Sequence, residues 1–282
     1  MSPCPYPHPA FLPALLPDNI QTQLQRTSKP HYPAEYLEKL KPLDSPANKP
    51  VEKVAKGLVS VVLALSLIAA RTDFLWIGNS ELLNRFAGQK HRKQTVWLRR
   101  ILLLEGLAEC HGMASGLLHH SESVLYNQTS APPHRMVYAL IGEFNSHRTH
   151  LLTFLSIAKP VFLTRLILLS TQIVGYFAQG LLCLIYMPLC FQLARYTSEA
   201  ASRVYADLTK DIDAGEVPDI AHAPVPAVST VFYNLPENAT MRLVCQCIKA
   251  DDVFHACWED SACKDHHNAT GRMYKMSNGL MH

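Results

Sequence analysis

Long apolar stretches alternate along the chain with polar, Pro-rich ones. The first apolar run, Leu58–Ala70, is 13 residues without a charge, short of the roughly 20 that span a bilayer as a helix. It reads as a buried or interfacial helix. Residues 85–93 are polar and basic. A helical pattern then opens near Thr95 and carries Trp97, Leu98, Ile101, Leu102, Leu104 and Leu107 at three- and four-residue spacings. A loop with paired prolines follows at Asn127–Pro133, and a helix is predicted over His134–Ala158, ended by Lys159–Pro160. Leu166–Phe191 is 26 residues without a charge. Taken alone it has the length of a membrane span; Gly175, Gly180, Pro188, Gln172 and Gln179 also fit a pair of core helices. Ala194–Ile212 is amphipathic and closes at Gly215. Pro218–Pro236 reads as a connection, and a last helix runs over Thr240–Asp260. No strand pattern is convincing. The expectation is an all-α domain of six helices over about residues 51–260.

The ends differ from this middle. Residues 1–50 are Pro-rich, so only short helical pieces are expected there. The first 34 residues hold one acidic side chain, Asp18, as in a transit peptide, yet they are neither Arg-rich nor amphipathic. A cleaved targeting segment and a plain tail fit equally. Residues 261–282 read as a polar, His-rich tail. Charged residues are 17% of the chain, below the roughly 25% of soluble domains, so membrane association is worth testing. The net charge of +3, from 26 basic and 23 acidic residues, excludes a nucleic-acid binder driven by bulk charge. Eight cysteines are too sparse for a small disulfide scaffold and suit a reducing compartment. Asn-x-Thr sequons at Asn127, Asn238 and Asn268 come with no visible signal peptide.

Few ionisable residues fall inside the apolar helices. Glu105 follows Ile101–Leu104, and a carboxylate there is costly to bury unless paired or metal-bound. Glu109 lies one turn on. His147 and His150 share a face with Glu143 one turn earlier. Asp252 and His255 repeat the three-residue spacing, and Glu199 sits on the segment between, with Tyr205 nearly two turns later. A helical bundle binds two metals with one carboxylate from each of two helices and an acid-x-x-His pair from each of the others. Glu105 and Glu199 are candidates for the single carboxylates, and Asp252-x-x-His255 is one pair. His147-x-x-His150 is the second, with imidazole where a carboxylate is expected. Hard oxygen ligands with some imidazole suit iron or manganese. A rival zinc site from Cys245, Cys247, Cys257, Cys263 and His266–His267 has the wrong spacing between its paired cysteines.

The order of these pieces resembles the alternative oxidases, di-iron ubiquinol oxidases of the mitochondrial inner membrane. Leu104-Glu105-Gly106-Leu107-Ala108 with Gly112-Met113 is similar to the family's Leu-Glu-Thr-Val-Ala…Gly-Met stretch. Ser146-His147-Arg148-Thr149-His150-Leu151 resembles Asn-Glu-Arg-Met-His-Leu, and Lys249-Ala250-Asp251-Asp252-Val253-Phe254-His255 resembles Arg-Ala-Asp-Glu-Ala-x-His. The likeness covers about residues 95–260. It implies a six-helix, ferritin-like fold with a central four-helix di-iron bundle, monotopic in one membrane leaflet, and a homodimer. It implies oxidation of ubiquinol by O₂ without proton pumping. By position it assigns the metal ligands Glu105, His147, His150, Glu199, Asp252 and His255, a quinone pocket with Arg100 and Leu104, and Tyr205 as the tyrosine near the iron.

Departures concentrate on the metal. Asp252 is one methylene shorter than Glu. His147 offers one lone pair where a carboxylate bridges. The ligand position of the third bundle helix falls on Ser198, with Glu199 beside it and about 100° round the helix. Two cations at one centre would be under-neutralised, so the alternative is a degenerate relative that keeps the fold and membrane face without the oxidase reaction.

Overall fold

The computed structural model describes residues 32–71, 89–125, 131–160 and 162–279. Among them every regular element is a helix and there is no strand; the eight elements are α1 (Ala34–Lys39), α2 (Pro50–Arg71), α3 (Gln89–Leu125), α4 (Ala131–Ala158), α5 (Phe162–Asp213), α6 (Pro218–Ala221), α7 (Ala227–Tyr233) and α8 (Met241–Gly279). The expectation of an all-α fold holds. Residues 1–31, with the candidate targeting segment, lie outside the described residues.

The uncharged run and the amphipathic segment after it meet at a kink within α5, where Tyr186 leaves helical geometry (φ −155°, ψ 84°) two residues before Pro188. Proline removes a donor and crowds the preceding turn, which is why the break lies just upstream of it. Its limbs, residues 162–185 and 187–213, do different work. The first exposes Leu169, Val174, Phe177, Leu181 and Leu184, whereas the second buries Cys190, Phe191, Tyr196, Ala201, Tyr205 and Leu208.

Helix α2 also outruns its prediction. Leu58–Ala70 is the C-terminal part of a 22-residue helix that starts with Pro50, and Glu52 turns back to accept the Asn48 and Lys49 backbone N–H groups at 2.8 and 3.1 Å. By length and hydropathy α2, α3 and α5 are each able to cross a membrane. Only α3 is mostly buried there; α2 and the first limb of α5 carry their apolar side chains outside.

The core lies between α3, α4, the second limb of α5 and α8, with α3 packed along α4 and α5 along α8. Ile101, Leu102, Phe154, Tyr205, Leu208, Val244 and Ile248 fill it. The Pro-rich stretches hold short helices: Pro218 opens α6 and Pro226 precedes α7. The stretch expected as tail is packed down from Tyr32 onward, with Tyr32, Leu37 and Ser45 buried. At the other end α8 continues past Asp260 to Gly279. Cys183 and Cys190 are joined by a disulfide across the bend of α5, a pairing that the cysteine count did not suggest.

Candidate metal centre

Three helices deliver carboxylates and imidazoles to one point. Glu105 comes from α3, His147 and His150 from α4, and Asp252 from α8; one ligand atom of each lies within 4.8 Å of the others, and all four side chains are buried. His147 Nδ1 is 2.9 Å and His150 Nδ1 3.3 Å from Glu105 Oε2. Neither oxygen of Asp252 has a hydrogen-bond partner, and neither has His147 Nε2. Buried polar atoms left this way are costly. The residues fit a divalent cation, because Glu105 and Asp252 supply two negative charges and the imidazoles complete a hard, nitrogen-containing donor set. His255 is beside the group, its ring centroid 5.2 Å from that of His147.

Electrostatics follow from burial and proximity. Burial opposes ionisation of Glu105, but the charge of His150 and contacts from both histidines outweigh it and hold the carboxyl at about 2. Burial favours a neutral His150, yet Glu105 and Asp251 push it up to about 10. Burial, followed by the charge of Glu105, raises Asp252 well above the usual carboxylate range. A cation at this point would take the place of those protons.

Asp251, the neighbour of Asp252, faces another way and anchors the surroundings. It accepts hydrogen bonds from Tyr32 at 2.5 Å, Ser146 at 2.7 Å and Tyr233 at 2.6 Å, and its Oδ2 is 3.2 Å from His150 Nε2. The carboxylate thereby fixes the outer nitrogen of His150, as carboxylates do for metal-ligating histidines. Tyr205, from α5, donates to Glu105 Oε1 at 2.6 Å.

Ser198 and Glu199 divide as their 100° separation requires. Ser198 faces inward, beside His147 and Glu143 on the wall of a cavity of about 330 Å³. Glu199 is equally buried but turned away: Arg195 Nε donates to it at 3.2 Å and the Ser45 backbone N–H at 3.0 Å. The structure does not bring Glu199 to the ligand group. Its charge is matched by Arg195, which also donates to Asp260 at 2.6 Å.

The family model for alternative oxidase matches residues 32–262. The chain belongs to the alternative oxidase family. Relatives include the mitochondrial alternative oxidases of Cryptococcus neoformans and Yarrowia lipolytica, each 33% identical over 159 residues, 56% of this chain. The matched stretch is 39% and 44% of those proteins. Mitochondrial ubiquinol oxidase 1a of Arabidopsis thaliana is 31% identical over 156 residues, 55% of this chain and 42% of its own. The match therefore spans less than half the length of each of these relatives.

Other positions read against the alternative oxidase pattern divide similarly. Leu104 lines the cavity, with Leu58, Val62, Leu107 and Gly175. Arg100 does not; its guanidinium lies over the Trp97 ring, 5.3 Å from the centroid. Among the described residues, the proposed zinc cysteines join no group able to hold a metal. Glu109 takes a hydrogen bond from Gln172, and burial pushes it up to about 7. Three residues escaped their full due at the level of sequence. Asp251 was legible only as a motif residue, and its role depends on tyrosines 219 and 18 positions away. His111 and Glu259 join Glu143 in a second buried group; the four-residue step from His255 to Glu259 was the available signal.

Proposed function

We propose that this protein is a non-proton-pumping quinol oxidase that takes two quinols and one O₂ to two quinones and two waters. The observation that carries the reading is a buried metal-type donor group whose His147 lines a largely apolar cavity, the wall of which also includes the exposed Leu58 and Val62. Iron is the cofactor this reading requires, held by Glu105, His147, His150 and Asp252 with His255 alongside; when bound it would supply the electron transfer to O₂. The protein's part is to hold these donors, keep bulk water out and admit an apolar substrate. A quinol dissolved in lipid suits such a cavity, with Leu104 on its wall. The apolar faces of α2 and the first limb of α5 support a monotopic seat in one leaflet, and the mitochondrial names of the relatives support that organelle, within which the reading takes the inner membrane.

A second reading, a relative without oxidase activity, is favoured by Ser198 standing where a carboxylate ligand is expected. One experiment separates the two: iron content of the detergent-extracted protein, with cyanide-resistant, quinol-dependent O₂ uptake. Bound iron and uptake abolished by Glu105→Ala are expected. Negligible metal with no uptake would leave the inherited fold without its chemistry.

A further inference from the structure

We infer that His111, Glu143 and Glu259 form a second divalent-cation site, separate from the Glu105 group. They come from α3, α4 and α8, the same three helices, and one ligand atom of each lies within 4.8 Å of the others. Glu143 and Glu259 are at least 99% buried and His111 is 96% buried. Glu143 Oε2 and both oxygens of Glu259 have no hydrogen-bond partner. His111 Nε2 is 3.0 Å from Glu259 Oε1, yet without hydrogen-bond alignment. The two carboxyls lie close enough for one proton to sit between them, and Glu259 Oε1 also faces the imidazole; a divalent ion taking the place of that proton would meet both carboxylates and the ring nitrogen.

The imidazole is positioned for ligation. The side-chain amide of Gln179 is 2.7 Å from His111 Nδ1. An amide turned end for end accepts the Nδ1–H and leaves the Nε2 lone pair facing the carboxylates. Two carboxylates neutralise one divalent ion, and one imidazole with two carboxylates selects Fe²⁺, Mn²⁺ or Zn²⁺ over Ca²⁺ or Mg²⁺. Burial drives the Glu143 carboxyl well above its usual range and Glu259 to about 8, so cation binding would release protons.

This arrangement bears on the charge deficit created by the substitutions at His147 and Ser198. Glu105 and Asp252 serve one cation; Glu143 and Glu259 serve another. Four carboxylates for two ions are thus recovered, divided between two turns of the same bundle, since Glu143 precedes His147 by four residues and Glu259 follows His255 by four. His111 and Glu143 also line the cavity, which gives an ion a way in.

The test needs no turnover. The full chain is extracted in detergent, stripped with chelator, loaded with Mn²⁺ alone and freed of excess, and bound metal is measured by mass spectrometry. About two ions per chain are expected, falling to about one in Glu259→Gln and in His111→Gln. Glu143→Gln is the independent third variant. The glutamines replace groups that are buried, so loss of metal with helix content and gel-filtration position unchanged reads the site. In Glu105→Ala about one ion should remain, which separates this site from the one proposed for quinol oxidation. The inference is overturned if the three variants hold as much metal as the parent, if the parent holds none, or if Glu259→Gln releases both ions together.

Discussion

The phenol of Tyr205 and the carboxylate of Glu105 share a 2.6 Å hydrogen bond at the centre of the bundle, and both side chains are fully buried. With His147 on the other oxygen of Glu105, the carboxylate is held from two sides. Tyr205→Phe removes one of them without altering the volume of the core. The expected result is a retained fold, a loss of about 1–3 kcal/mol, and a fall of about 10–100-fold in quinol-dependent O₂ uptake or in metal affinity at that group. Oxygen-electrode rates and metal content of the same preparation check both.

Asp251 gathers three hydroxyls and an imidazole, and two of the hydroxyls belong to segments distant in sequence. Asp251→Ala should therefore cost about 3–5 kcal/mol, because the groups it served stay buried beside a charged His150. Tyr32→Phe, which removes one donor, should cost about 1 kcal/mol. Denaturant titration of the two variants in the same detergent measures the ratio.

Glu199 is paired with Arg195 and the Ser45 backbone. Glu199→Gln is expected to leave the metal content unchanged, in contrast to Glu105→Ala, while lowering stability by about 1–3 kcal/mol. Metal loss in Glu199→Gln would restore this residue as a ligand.

At Gly112 the backbones of α3 and α4 come close together. A Cβ there would lie 2.7 Å from the Leu140 carbonyl oxygen and 2.8 Å from the Phe144 nitrogen, both backbone atoms that cannot swing aside. Gly112→Ala should force the helices apart and cost about 1–3 kcal/mol or more. One turn on, a Cβ at Gly116 would meet Leu140 Cβ at 3.5 Å, an ordinary contact. Gly116→Ala should be neutral or stabilise by up to about 1 kcal/mol through helix propensity. Thermal unfolding of the two variants reads the difference.

Spacing made much of this site legible. His147 and His150, or Asp252 beneath an apolar stripe, announce a shared inward face because helix periodicity is local. The choice between Ser198 and Glu199 was not local. It was settled by Arg195 one turn away and by Ser45, a residue 154 positions distant. Asp251 and Asp252 likewise look equivalent in sequence, and only the tyrosines from the N-terminal segment and α7 distinguish them. The break of α5 at Tyr186 falls beside Pro188, as a proline predicts, whereas Gly175 and Gly180 do not interrupt the first limb.

That bend has a practical corollary for anyone dissecting the molecule. The break at Tyr186 is still no seam at which to cut, because the first limb is tied to α3 through Gln172 and Glu109 and to the second limb, which supplies Ser198, Glu199 and Tyr205, through Cys183 and Cys190. Deleting the greasy half to obtain a water-soluble fragment would unmoor the very residues the fragment was meant to display, so solubility here has to be sought by repainting the exposed leucines and valines, not by truncation.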